Sequence, residues 1–187
     1  MDTKERLVAA AFNLIELKGA AHFSTRAVCD LANVKAPTLY HHFGSADGLL
    51  SAVIDEAFKQ FLAAKQVAMQ SSDPVAALVE GWNDYVGFAA ARPRLYAAMM
   101  ARFLSGADLP AARAGQDLLR ARVAQIDAAG LLAIPVGAAV QVVGASANSA
   151  ALLYLMASMQ PDVVTGAPDA ATLASIRDSA IQAICKK

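Results

Sequence analysis

Glycine, proline and helix-capping residues divide the chain into segments in which apolar residues recur at the spacing of an α-helix. Asn33 and Gly44 follow two of these segments, and Pro74 and Pro93 begin two others. Alanine is abundant and runs of β-branched residues are short, which favours helices over strands. The pattern predicts an all-α protein with about nine helices. They are expected over residues 3–17, 24–33, 36–43, 45–66, 74–91, 93–103, 108–129, 135–160 and 169–184.

The stretch between Asp127 and Asp162 contains no charged residue, and its length would suit a membrane span. Residues 136–160 nevertheless include several polar side chains, and they lack an aromatic belt and flanking basic clusters. We therefore expect a fully buried helix here and no membrane partner. The polar residues in question are Gln141, Ser146, Asn148 and Ser149.

The charge of the chain gives no general support for nucleic-acid binding. The formal net charge is +0, and residues 1–67 hold seven basic and seven acidic side chains. Any DNA binding must therefore come from the placement of individual groups. Cys29 and Cys185 lie far apart, have no metal-ligand spacing and suggest a reduced, cytoplasmic protein. No cofactor or metal site is predicted.

Residues 24–43 are predicted to form two short helices joined at Asn33, as in a helix-turn-helix. Val28 and Leu31 are expected to face inward from the first helix. The second helix is expected to expose hydroxyl groups, ring N–H groups, one positive charge and small residues that allow close approach to a thymine methyl. We therefore predict that it contacts DNA through Lys35, Ala36, Pro37, Thr38, Tyr40, His41 and His42.

The start of the first short helix is a candidate phosphate site. Ser24 and Thr25 supply hydroxyl groups, Arg26 supplies a positive charge, and the helix start supplies free backbone N–H groups. Arg26 fits a solvated surface charge equally well. Cys29 is expected to pack against the core, since nothing near it in the sequence indicates a lowered pKa.

Tyr40 and the two histidines also have simpler interpretations. Tyr40 would fit a half-buried core position, although its place in the motif favours DNA contact. The pair His41 and His42 has an alternative interpretation as metal ligands, but adjacent helical residues point about 100° apart. Neither histidine is followed by a cysteine or an acidic residue at the next turn.

The segment Thr38-Leu-Tyr-His-His-Phe43, followed by Gly44-Ser45 and Leu49-Leu50, resembles the TetR family of bacterial transcriptional regulators. The resemblance implies an N-terminal three-helix DNA-binding domain over residues 1–61. It also implies a C-terminal effector-binding and dimerisation domain over residues 62–187. Such a protein binds a double-stranded DNA operator as a homodimer, and a small-molecule effector shifts helix four and separates the two DNA-binding domains.

In the family pattern, Thr25, Thr38, Tyr40, His41 and His42 occupy positions that commonly contact DNA, and residues 35–37 occupy positions that select bases. This chain departs from the pattern at Ala46, where the family often has a lysine that meets a phosphate. Together with the balanced charge of residues 1–67, this departure argues against unusually tight or strongly salt-dependent DNA binding.

Two sets of residues are candidates for the remaining functions. One set either lines an effector pocket or forms plain core: Trp82, Tyr85, Phe88, Met99, Met100 and Phe103. The eighth helix has small residues and amides on one face, which allow close helix packing and hydrogen bonds across it. Gln141 and Asn148 of this face belong either to the pocket or to the dimer interface. The resemblance to the family implies that helices eight and nine build the dimer interface as a four-helix bundle. The interface residues expected on these helices are Gly137, Gly144, Ala151, Leu173, Ile176 and Ile181.

These observations favour a ligand-responsive DNA-binding regulator, most simply a repressor. The alternative is a helical carrier of a small hydrophobic molecule that does not bind DNA. An enzyme is not expected, because all three histidines lie within the first 42 residues and no nucleophile elbow, phosphate loop or metal cluster appears.

Overall fold

The computed structural model describes residues 2–68, 71–160 and 166–186. Within these ranges the chain forms α-helices and one short 3-10 helix at Ala20–His22, and extended pairing is limited to an isolated bridge between Leu132 and Cys185. The predicted all-α fold class is therefore confirmed. The α-helices are α1 Thr3–Lys18, α2 Thr25–Ala32, α3 Ala36–Phe43, α4 Ala46–Ala68, α5 Pro74–Ala91, α6 Pro93–Leu104, α7 Pro110–Ala128, α8 Val136–Met159 and α9 Ala170–Ile184.

The chain separates into two compact units. The first unit comprises Met1–Leu62 and Arg94–Ala112, and the second comprises Ala63–Pro93 and Arg113–Lys187. The break after Leu62 lies beside the predicted domain boundary, but the first unit also takes in α6 and the first residues of α7. The assignment of DNA binding and effector binding to residues 1–61 and 62–187 remains a prediction.

Side chains close to the helix ends fix the short helices of the first unit. The Ser24 hydroxyl accepts a hydrogen bond from the Ala27 N–H at 3.2 Å and caps α2. Asn33 ends α2 in the left-handed region at φ 51°. Gly44 ends α3 at φ 72°, and the Ser45 hydroxyl accepts from the Gly48 N–H at the start of α4. The core between these helices includes Leu7, Ile15, Val28, Leu39, Leu49 and Val53.

The prediction that Leu31 faces inward is wrong, because this side chain is 62% exposed. Val28, Cys29 and Ala32 are the buried residues of α2. Each helical residue advances about 100°, so a face centred between Val28 and Cys29 leaves Leu31 turned well away from the core.

The core of the second unit lies mainly between α5, α8 and α9, with α7 contributing Val123 and Ile126. The end of α9 is joined to the α7–α8 loop by two backbone hydrogen bonds. The Lys186 N–H donates to the Leu131 carbonyl at 2.8 Å, and the Ala133 N–H donates to the Ile184 carbonyl at 2.7 Å.

The prediction that α8 is fully buried is wrong. Only 33% of its apolar window is buried, and the inner face is formed largely by alanine and valine. Leu152, Met156 and Met159 are exposed. Among the described helices, α8 alone has the length and composition of a membrane span. Because core helices of globular proteins pass the same test, that property is weak evidence for a membrane.

Candidate nucleic-acid interface

A tight turn connects α2 to α3. The Val34 N–H donates to the Cys29 carbonyl at 3.0 Å, which closes the end of α2. Lys35 precedes α3 in an extended conformation, and Pro37 lies in the first turn of α3, where its missing N–H has no cost. The two short helices and the left-handed Asn33 between them form the predicted helix-turn-helix.

Helix α3 presents most of its surface outward. Leu39 is its only buried residue, whereas Tyr40 is 49% exposed. The rings of His41 and His42 are also exposed and meet edge to face, with their centroids 5.5 Å apart. Of the predicted base-contacting residues, Lys35 and Pro37 are exposed, and Ala36 and Thr38 are half-buried.

The start of α2 is less suited to phosphate than its sequence suggests. The Ser24 hydroxyl is already engaged as the cap of α2, and Thr25 is half-buried. The Arg26 side chain is 94% exposed and lies 3.9 Å from the Asp30 carboxylate, one turn along the helix. Such an exposed pair contributes little to stability, and it lowers the local positive charge. Asp30 therefore competes with any phosphate for the Arg26 guanidinium.

The predicted DNA-contacting residues include only two charged groups, Arg26 and Lys35, and Asp30 lies beside the first of them. These exposed and half-buried residues on α2, α3 and the positions just before them are called the reading face: Ser24, Thr25, Arg26, Lys35, Ala36, Pro37, Thr38, Tyr40, His41 and His42. It offers hydroxyl and imidazole hydrogen-bonding groups on a rigid helix. Groups of this kind recognise base edges, whereas affinity for phosphates in general requires clustered positive charge. The chemistry of the reading face fits selection of sequence better than general attraction to DNA.

The structure places the predicted pocket residues in two different units. Met99, Met100 and Phe103 lie on α6 of the first unit. In the second unit, the Trp82 indole N–H donates to the Ser146 hydroxyl at 2.9 Å. Phe88 is buried on the same helix, and Gln141 is exposed on α8.

The Tyr85 hydroxyl donates to the Asn148 side-chain oxygen at 2.7 Å. This contact brings together two of the predicted residues, one from α5 and one from α8.

The predicted interface residues differ in their surroundings. Gly137 is exposed, whereas Ala151 is fully buried within the chain itself. A Cβ atom added to Gly144 would lie 3.7 Å from the Leu119 side chain. Three further residues are half-buried and pack against the core of the second unit: Leu173, Ile176 and Ile181.

Arg122 on α7 was not anticipated as a notable residue. It is only 7% exposed, and a Cβ atom added to Gly81 of α5 would lie 1.5 Å from its guanidinium. Burial lowers the pKa of the Arg122 guanidinium, while the carboxylates of Asp84 and Glu80 act in the opposite direction. The sequence contained two signals, an arginine on the apolar stripe of α7 and a glycine inside α5.

Residues 7–53 match the family model described as bacterial regulatory proteins, tetR family. This range holds most of α1, all of α2 and α3, and the first turns of α4. No curated protein matches the chain.

Several solved structures share the fold along nearly the whole chain. A protein of unknown function from Rhodococcus sp. RHA1 matches with a TM-score of 0.82 at 23% identity, over 100% of this chain and 97% of that one. A TetR transcription regulator from Haloarcula marismortui ATCC 43049 matches with a TM-score of 0.73 at 16% identity, over 99% of each chain. The transcriptional regulator FadR from Bacillus subtilis, in complex with stearoyl-CoA, matches with a TM-score of 0.67 at 14% identity, over 95% of each chain.

The resemblance to the TetR family is therefore confirmed. The N-terminal region matches the sequence model of the family, and the described chain has the fold of TetR-family transcriptional regulators. At these identities the structural similarity establishes the fold alone.

Proposed function

We propose that the protein is a sequence-specific DNA-binding transcriptional regulator, and specifically a repressor that a small hydrophobic effector releases from its operator. The observation that carries the proposal is the reading face, where α3 buries only Leu39 and turns hydroxyl and imidazole groups outward. The family match over residues 7–53 supports the same function.

The proposed regulator is a cytoplasmic homodimer that does not insert into a membrane. Leu152, Met156 and Met159 form an exposed apolar stripe on α8, and a second copy of the chain would cover it. Sedimentation velocity on Leu152→Glu is expected to show dissociation into monomers. The control Leu104→Glu changes an exposed leucine on α6 and is expected to leave the dimer intact. Equal dissociation of both variants, or of neither, would contradict this interface.

The proposed effector binds in the second unit, whose core is apolar with a few placed polar groups, such as the part-buried Trp82–Ser146 pair. FadR in complex with stearoyl-CoA supports an apolar ligand class. Adding stearoyl-CoA to the protein–DNA complex and following fluorescence anisotropy tests that class. Release of the DNA is expected, and complete retention at saturating stearoyl-CoA would exclude long-chain acyl effectors.

DNA binding itself is tested by selecting fragments from randomised DNA with the purified protein. The double variant Thr38→Ala, Tyr40→Ala should lose at least about thirtyfold in affinity for the selected fragments, since each lost base contact costs roughly 1–3 kcal/mol. Changes at Lys35 should alter the preferred sequence. His41→Ala should also weaken binding to the selected fragments, and His22→Ala is its control, because His22 is exposed outside α3 and bonds the Lys18 carbonyl.

If the double variant folds and binds the selected fragments as tightly as the unmodified protein does, α3 is not the DNA-reading helix. If the unmodified protein selects no fragment above background, the alternative function becomes the better one. That alternative is a helical carrier of a hydrophobic small molecule, and the apolar core of the second unit favours it.

A further inference from the structure

Helix α6 is attached at its two ends to α1 and α4, the helices that precede and follow the reading face in the chain. At its start, the Arg94 guanidinium donates to the carbonyls of Glu16 and Leu17, the former at 3.2 Å. These carbonyls belong to the last turn of α1, where the helix dipole is negative and carbonyls lack partners within the helix. Arg94 therefore caps α1 from another helix.

The other end of α6 is attached to α4 through Arg102. Its guanidinium donates to the Ser51 hydroxyl from Nε at 3.2 Å and from Nη2 at 2.9 Å. Its Nη1 donates to the Asp47 carboxylate at 3.2 Å. The Arg102 side chain is only 21% exposed, so this planar fork is held against α4.

A third contact lies just beyond α6. The Asp55 carboxylate of α4 accepts a hydrogen bond from the Ala111 N–H at 2.6 Å. Ala111 is the second residue of α7, where the backbone N–H groups are free and the helix dipole is positive. Residues 47, 51 and 55 are spaced one turn apart, so a single face of α4 makes all these contacts.

We propose that Arg102 is a positioning residue for DNA recognition, although it lies about sixty residues beyond the reading face. This inference rests on the proposed function. Helix α3 ends at Phe43, and α4 begins at Ala46 after only Gly44 and Ser45. The grip of Arg102 on the first two turns of α4 therefore fixes the point at which α3 is attached. A change that loosened α6 would reach the reading face through Asp47 and Ser51.

The test uses the full chain with Arg102→Met, which keeps most of the side-chain volume and removes the fork. Arg120→Met is the matched control, because Arg120 is an exposed arginine on α7 in the second unit. Arg102→Met should raise amide hydrogen exchange across residues 46–55 and lower affinity for the selected DNA by about tenfold. The control should change neither quantity, and both variants should unfold at similar temperatures.

The salt dependence of binding separates positioning from direct contact. A residue that neutralises one phosphate reduces the slope of log K against log salt concentration by about 1 when it is lost. Arg102→Met should leave that slope unchanged, and a reduced slope would overturn the positioning role.

Unchanged affinity together with unchanged exchange in residues 46–55 would also overturn the positioning role, while the proposed function would stand. If the unmodified protein bound no DNA, the proposed function would fail and take the positioning role with it. The exchange measurement would then report only on the attachment of α6 to α4.

Discussion

The helices in and around the reading face and the helices of the second unit are held in different ways. The ends of α1, α2 and α4 are fixed by side chains three residues away, through Asp2, Ser24 and Ser45. In the second unit, Trp82 bonds Ser146 across 64 residues, and Arg177 bonds Asn83 across 94. The starts of these helices are therefore set by nearby residues, and distant bonds such as Arg102–Ser51 act on α4 behind the reading face. The bonds quoted for the second unit instead join distant helices directly.

The largest expected effect tests whether the two units, which are separate in their contacts, also unfold independently. Leu39→Ala and Leu78→Ala each remove a fully buried side chain, from α3 and α5 respectively. Each should lower the free energy of unfolding by about 2–5 kcal/mol. Hydrogen exchange should rise within residues 2–62 and 94–112 for Leu39→Ala. For Leu78→Ala, it should rise in the second unit.

A rise across the whole chain in either variant would break the comparison, because it would mean that the two units unfold as one cooperative body. Val8→Ala truncates a half-buried side chain of α1 and serves as the control in the first unit. It should lower the free energy of unfolding less than Leu39→Ala does.

The next largest effect concerns the buried arginine of the second unit. Gly81→Ala places a methyl group where the Arg122 guanidinium lies, so it should lower the free energy of unfolding by about 1–3 kcal/mol. Gly87→Ala makes the same change in the same helix where nothing lies within 4 Å. It should stabilise the protein by about 0.5–1 kcal/mol, because alanine is the better helix former. Urea denaturation of both variants measures the difference, and a shared sign would show that Arg122 is not held against Gly81.

A smaller effect is expected from a hydrogen bond between distant helices. Ser146→Ala removes the acceptor of the buried Trp82 indole N–H and should lower the free energy of unfolding by about 1 kcal/mol. Trp82 is the single tryptophan of the chain, so its fluorescence reports directly on the change. Ser149→Ala alters an exposed serine on the same helix and serves as the control. If Ser146→Ala had the stability and the emission of the unmodified protein, the Trp82–Ser146 hydrogen bond would not stabilise the second unit.

The sequence predicted the helices well because their ends depend on nearby residues. The predicted limits 74–91 for α5 agree with the structure, and the left-handed Asn33 was expected from its residue type. The error at Leu31 has a geometric cause. Helical spacing identifies a stripe, but only the packing of α1 against α2 decides on which residue that stripe is centred.

The surroundings of the candidate sites were harder to predict, since they depend on which helices meet. The exposure of Tyr40, His41 and His42 follows from the burial of Leu39, which periodicity could indicate. Nothing in the local sequence around Arg102 indicates that it bonds Ser51 and Asp47. The composition of α8 suggested full burial because an apolar face has the same residues whether its own chain covers it or a partner does.

The smallest expected effect asks how much a local cap matters in the unit that relies on distant contacts. Asp169 caps α9, and hydrogen bonds from Thr172 lower the pKa of its carboxyl below the ordinary value of 3.8. A lowered pKa means that the stabilisation is present above the pKa of the unfolded chain and is lost as the pH falls through the folded value. Asp169→Asn keeps a capping oxygen without the charge, so its stability should lack this dependence.

Thermal unfolding of the two proteins from about pH 6 to about pH 2.5 should therefore show a small advantage of Asp169 that disappears on acidification. Asp117→Asn, at an exposed position within α7, should follow the unmodified protein throughout. An advantage that persisted at the lowest pH would locate the contribution of Asp169 in the geometry of the cap rather than in its charge. The cap of α9 would then resemble that of α2, where an uncharged serine performs the same task.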